Sequence, residues 1–397
     1  MFSTAASQMI EAAVSLSGVR VAVVSQEPLE RLAPHIAARL AGHYRIESIT
    51  DAAQLETAVR ALNARHGAIH RCFGAYEQLQ VPLAIVREKL GIRGLSSASA
   101  SNFRDKARMK DVLRAAGVPV ARHRLVGSVE EADAFARDVG FPIVVKPPAG
   151  AGAVATHRCS DQQSLSHFLT RYPPTPADPM LAEEFLHGSE HSIETVSVAG
   201  RTLWHSITNY YPTPLEVLEH PWIQWSVLLP REVEASAHDD IRIVTSRALA
   251  ALGMDTGVSH CEWFRRVDGS VAISEIGARP PGAQITTMIS RANDIDFVKA
   301  WVTLMIHEAF EMPTRRYAVG TAYLRGQGTG RVQHLEGLDV VERELGHLIC
   351  DVRLPERGQT PTGSYEGEGF IILRHPETAV VERALRRVVS TVRVHLA

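Results

Sequence analysis

The dipeptide Asp268-Gly269 stands between two alternating apolar and polar runs in residues 258–279, VSHCEWFRRVDGSVAISEIGAR. Such a pair favours a two-residue type I′ turn, so the segment is expected to fold as an antiparallel hairpin. With Val267 facing Ser270, Glu262 faces Glu275, His260 faces Gly277 and Val258 faces Arg279, all on one face. Directly opposed side chains have Cβ atoms about 4.5 to 5.5 Å apart, where two carboxylates repel. A hard divalent cation relieves that repulsion, and Mg²⁺ is typically held by one or two carboxylates together with phosphate oxygens. Gly277 leaves room beside the pair, and Arg279 offers a planar fork for an oxyanion. The competing reading is a solvated face whose acids are neutralised by a nearby Lys or Arg, and a bulge would move the register by one.

Two further segments carry the same kind of chemistry. Lys146 closes the apolar strand 143–146 and runs into PPAGAGA, residues 147–153. A lysine there is costly unless its ammonium meets an anion, and Gly150 and Gly152 let backbone N–H groups approach phosphate oxygens. No GK[ST] follows, so this is not a P-loop. In residues 180–196, Glu183, Glu184 and Glu190 surround Phe185 and Leu186. A strand-like hinge of this kind can read an adenine through its backbone, with Glu190 accepting from ribose hydroxyls. The alternative is an edge strand with ordinary exposed acids. Lys106 and Lys110, four apart on a helix, read on their own as a solvated face.

The rest of the chain supplies the frame. Strands at 19–25, 44–49 and 68–73 alternate with helices through Leu29 to Leu40, Leu55 to Leu62 and 81–90, which implies an open parallel sheet over about the first 95 residues. No GxGxxG follows the first strand. LSSASASN at 95–102 reads as a linker, and a helix with Met109, Val112 and Leu113 on one face ends at Gly117. Ser128 and Glu131 have capping-box spacing. Successive strands from 180 to 209 indicate an α+β region built on antiparallel sheet, with a distinct tail from about residue 313. The 42 basic and 44 acidic residues give a net charge of −2, which leaves no footprint for nucleic acid or an anionic membrane. No apolar run is long enough for a spanning helix and the first 19 residues hold no Lys or Arg, so the expectation is a cytoplasmic protein. The four cysteines are scattered singly, without the spacing of a zinc site or redox pair.

Four segments taken in order resemble the ATP-grasp superfamily: SNFRDKARMKDVLRAAGVPV (101–120), FPIVVKP (141–147), LAEEFLHGSE (181–190) and HCEWF with ISEIGARPPGA (260–283). Within it the chain is most similar to the L-amino-acid ligases that make dipeptides, through GTAYLRGQGTGRV from Gly320 and EGFIILRHPET from Glu368. The resemblance implies an α/β and α+β chain: a pre-ATP-grasp domain over 1–98, an ATP-grasp domain over 99–312, and a C-terminal subdomain over 313–397. The ATP-grasp part divides into a small lid, 99–180, and a catalytic subdomain, 181–312. It implies ATP and Mg²⁺, with Mn²⁺ as an alternative, small-molecule carboxylate and amine substrates, and a homodimer. By the same resemblance Lys106 and Lys146 contact the ATP phosphates under a loop containing Gly150 and Gly152. Glu183, Glu184, Phe185 and Leu186 match the adenine hinge, and Glu190 the ribose contact. Glu262 and Glu275 match the metal ligands. Arg279 matches the arginine that stabilises the acyl phosphate, Gly282 lies in the adjacent carboxylate-binding turn, and His260 shares the substrate face.

Two departures bear on the substrate. The family often has Asn where this chain has Gly277, so one metal ligand is expected from water or ATP. Gln224 and Val227 occupy positions where the dipeptide ligases are expected to carry Glu and His, which bears on the class of amine. The rival readings are a carboxylase or ribonucleotide-type ligase of the same superfamily, and a catalytically silent nucleotide-binding protein.

Overall fold

The structure, a computed structural model, describes residues 2–149, 156–220 and 222–397. The chain opens with a helix, Thr4–Ser15, whose first turn is capped by the Ser3 hydroxyl. β1 (Ala22–Ser25) and β2 (Gly42–Arg45) then pair in parallel, as the strand and helix alternation implies. The helix expected from Leu29 to Leu40 is instead a 3₁₀ turn, Leu29–Arg31, and a short helix, Pro34–Ala37. Pro34 lacks the N–H that would join them and sits at the start of the second piece. The expected third strand at 68–73 joins no sheet among the described residues. Its ladder groups are used elsewhere: Ile69 N–H donates to the Asn63 side chain, and the Cys72 carbonyl accepts from Arg87. The stretch read as a linker at 95–102 is largely a helix, Ser97–Arg104, capped by Ser96 and burying Ala100 and Phe103.

Two antiparallel sheets and a small sheet of three strands build the rest among the described residues. The smaller contains β3 (His123–Val126), β4 (Ile143–Lys146), β5 (His157–Cys159) and β6 (Met180–Glu184), in the order β3-β6-β4-β5. Phe135, Leu165 and Leu169 of two covering helices form its core with Val126 and Ile143.

The larger sheet begins with β7 (Gly188–Val198), β8 (Arg201–Tyr211), β9 (Ser226–Leu229), β10 (Gly257–Arg266) and β11 (Val271–Gly277). It continues through β12 (Ala318–Leu324) and, after the short strands β13 (Gly326–Gln327) and β14 (Val332–Glu336), through β15 (Ile349–Arg353) and β16 (Gly369–His375). Its order is β11-β10-β7-β8-β9-β12-β16-β15, while β17 (Arg393–Leu396) lies between β13 and β14 in a sheet of three. Because β9 pairs with β12, the sheet runs across residue 313, and the tail expected as distinct shares it. Residues an odd number apart face opposite sides: Val258 packs with Val196, Trp225 and Trp301, whereas Cys261 packs with Ile193, Met109 and Leu113.

The β10–β11 hairpin corrects one expectation while preserving the pairing that matters. The turn is a three-residue loop, with Arg266 N–H donating to Ser270 O at 2.8 Å and Gly269 at φ 85° in the left-handed region. Arg265 therefore faces Val271, one step away from the two-residue register. A bulge between Glu262 and Trp263 then skips Ser274, and Glu262 faces Glu275 and His260 faces Gly277 after all. The ladder ends there, so Val258 and Arg279 do not pair.

Candidate active site

Lys106, Lys146, Glu183, Glu184, Phe185, Leu186, Glu190, His260, Glu262, Glu275, Arg279 and Gly282 line one cleft of about 710 Å³ between the two sheets. Gly150 and Gly152 lie outside the described residues.

The lysines come from two elements. Asp105 caps the helix Lys106–Ala115 and so fixes the start from which Lys106 and, one turn later, Lys110 project inward. The reading of this pair as a solvated face is overturned, since Lys106 is 6 % and Lys110 1 % exposed. Lys146 ends β4 and is also buried. Glu183 on β6 joins two of them, its oxygens lying 3.1 Å from Lys110 Nζ and 2.8 Å from Lys146 Nζ. Burial alone would raise the Glu183 carboxyl, but the two ammonium groups hold it down at about 2. Lys110 also donates to the Ser274 carbonyl at 2.7 Å, so the residue set free by the bulge has its partner here. The Glu183 side chain is thus the shared counter-ion of Lys110 and Lys146. Glu184 and Phe185 N–H groups donate to Arg122 O and Pro142 O.

Glu275 lies 2.9 Å from Lys106 Nζ. Glu262 lies beside His260 on the same face of β10, its Oε1 3.5 Å from His260 Nε2. Behind them a buried network fixes the imidazole: His260 Nδ1 is 2.9 Å from Glu194 Oε1, and Glu194 accepts from Ser192 at 2.6 Å and Thr208 at 2.8 Å. Burial works against a charged His260, but the Glu194 and Glu262 carboxylates raise it to about 9. Among the described residues no group of three or more His, Cys, Asp or Glu forms a metal cage. Two facing carboxylates with oxygen donors nonetheless fit a hard cation that completes its shell with phosphate and water.

Arg279 is held by a residue the sequence did not mark. Glu77, buried in the N-terminal region, accepts from Arg279 Nε at 2.7 Å and lies 3.6 Å from Arg104. After Arg279 the chain turns through Gly282, and Ala283 and Gln284 take left-handed φ of 50° and 56°. Such conformations cost free energy in non-glycine residues and persist where neighbours impose them. Here the buried Tyr323 hydroxyl donates to Ala283 O. Gln224 and Val227 stand apart from the cleft. The first clasps the Arg325 backbone with both ends of its amide, and the second is fully buried core.

Residues 111–293 match the model of the ATP-grasp domain. This chain carries an ATP-grasp domain. Over 272 residues it is 25 % identical to the L-arginine-specific L-amino acid ligase of Bacillus subtilis, covering 66 % of this chain and 64 % of that protein. The crystal structure of an L-amino acid ligase from Bacillus licheniformis superimposes with a TM-score of 0.80 at 20 % identity, covering 100 % of this chain and 97 % of that one. N5-carboxyaminoimidazole ribonucleotide synthetase from Thermotoga maritima superimposes with a TM-score of 0.72 at 15 % identity, covering 99 % and 97 %. These structures share the ATP-grasp fold with this chain. The alignments to the first curated relatives span 66 %, 64 % and 50 % of those proteins' lengths. No described helix is long and apolar enough to cross a membrane.

Proposed function

We propose that this protein is an ATP-dependent carboxylate–amine ligase acting on amino acids, with a domain division at residue 98 and a C-terminal subdomain from residue 313 that shares the large sheet with the ATP-grasp domain. The observation that carries the reading is the meeting, in one cleft, of the Glu262–Glu275 pair, the buried lysines Lys106 and Lys146, and an Arg279 fixed by Glu77. In this reading Lys106 and Lys146 neutralise the phosphates of ATP, Glu190 contacts its ribose, and Glu262 with Glu275 holds Mg²⁺. When bound, Mg²⁺ would add charge neutralisation on the phosphate oxygens.

The substrate carboxylate attacks the γ-phosphorus, and the bond to the departing ADP oxygen breaks. The amine then attacks the acyl carbon, forming the C–N bond. The C–O bond to phosphate breaks, and a proton and inorganic phosphate leave. Arg279 offers its remaining N–H groups to the oxyanion, already oriented and so with little reorganisation at the moment of reaction.

The lining favours amino acids over ribonucleotides. Its cationic side chains are Lys106, Lys110, Lys146, His260 and Arg279, each already in contact with a carboxylate. Thr4, Gln8, Gln78, Gln284 and Thr287 add only uncharged polar groups, so among the described residues no separate phosphate fork awaits a ribonucleotide. Hydroxylamine trapping tests the chemistry: with ATP, Mg²⁺ and individual L-amino acids, an aminoacyl hydroxamate is expected. Trapping with bicarbonate or a nucleotide precursor only would refute the reading.

A further inference from the structure

Glu194 is a fully buried carboxylate that the mechanism above does not use. It stands on β7 in the large sheet, facing His260 of β10 on one side and Ser206 of β8 on the other. A carboxylate withdrawn from water is costly unless strong hydrogen bonds satisfy its oxygens. Both oxygens are satisfied here. Oε1 accepts from the Ser192 hydroxyl at 2.6 Å and from His260 Nδ1 at 2.9 Å, and Oε2 accepts from the Thr208 hydroxyl at 2.8 Å. These donors come from three adjacent strands, so the carboxylate is fixed from both sides as well as from its own strand. Ser206, its register partner, accepts in turn from Arg315 Nη2 at 2.6 Å, which anchors the far end of the row. Glu194, Ser192, Ser206 and Thr208 are all 0 % exposed, so no water competes for these bonds.

The imidazole is thereby held by its Nδ1 edge, and the opposite nitrogen, Nε2, lies 3.5 Å from Glu262 Oε1. The other carboxylate of the facing pair, Glu275, has its own partner in Lys106 at 2.9 Å. Each member of the pair is thus restrained by a side chain from outside the pair. Partners that orient a metal-binding group typically change metal affinity about tenfold to hundredfold when they are removed. Resting on the metal assignment of the ligase reading, we infer that Glu194 is a positioning residue for the divalent-cation site. It locks the His260 ring, and the ring fixes the direction of the Glu262 carboxylate. The role depends on the shape of the acceptor and on no contact with the cation or the substrate. An amide therefore reproduces it: glutamine keeps one oxygen for Ser192 and His260, and its NH₂ donates to the Thr208 hydroxyl, which accepts as well as donates. Leucine fills the space and offers no acceptor.

The test is a Mn²⁺ titration of the nucleotide-free protein, followed by the loss of the free-ion signal in electron paramagnetic resonance. Glu194→Leu should weaken Mn²⁺ binding about tenfold to hundredfold, while Glu194→Gln stays within about threefold of the wild type. Thr208→Val removes one donor and keeps the carboxylate. It should shift the affinity in the same direction by less, and it replaces Glu194→Leu if that variant does not fold. Wild-type affinity in Glu194→Leu, or in Thr208→Val where it stands in, overturns the assignment and leaves the ligase reading standing. Equal weakening in the leucine and glutamine variants also overturns it, because ring geometry predicts the rescue. Mn²⁺ binding that is absent from the wild type, or indifferent to Glu275→Ala, overturns the metal assignment and this inference with it.

Discussion

Arg279 donates its Nε–H to Glu77 Oε2 at 2.7 Å, joining residues 202 positions apart in the chain. Glu77 lies in the N-terminal region, so a segment outside the two antiparallel sheets orients the cation of the cleft. Burial disfavours charge on the guanidinium, but Glu77, with Glu275 and Glu262 beyond it, holds Arg279 above its ordinary range.

If Glu77 fixes the arginine, Glu77→Gln should lower kcat on the order of tenfold to a hundredfold, with KM for ATP little changed. Steady-state kinetics with saturating ATP provide the check. An unaltered kcat would mean that Arg279 finds its geometry without this partner.

Glu183 is the shared counter-ion of Lys110 and Lys146. Glu183→Gln leaves two buried ammonium groups uncompensated, and denaturant unfolding should show a loss of about 3 to 5 kcal/mol. A loss below about 1 kcal/mol would contradict a buried ion triad.

His260 is raised from 6.5 to about 9, through hydrogen bonds that outweigh its burial. Its charged form is bound more favourably in the folded state, so this contribution is fully present below about pH 6.5. It is lost progressively as pH rises through about 9. Wild-type stability should therefore fall across that window, and His260→Gln should flatten the fall. Parallel curves for the two proteins would exclude His260 as the cause.

Much of the site was legible because its signals are local. The alternation around Asp268-Gly269 identified the hairpin that pairs Glu262 with Glu275. That pairing survives because two departures cancel: a three-residue loop moves the register one way and the bulge at Ser274 moves it back. Neither is visible in a pattern of apolar and polar residues. Lys146 at the end of an apolar strand announced a buried charge, whereas Lys110 on an amphipathic helix looked like surface until β6 placed Glu183 against it. Glu77 was invisible for the same reason: it acts on Arg279 from a distant segment. The missing strand at 68–73 shows the limit of apolar runs as evidence, since side chains of Asn63 and Arg87 took the hydrogen bonds a ladder requires.

The most direct test of the ligase reading is Mg²⁺-dependent phosphate release from ATP in the presence of pooled L-amino acids, with products identified by mass. Phosphate release accompanied by a dipeptide mass, and abolished in Glu275→Ala, is the predicted result. Nucleotide binding with no phosphate release from any pool, or release undiminished by Glu275→Ala, would contradict it.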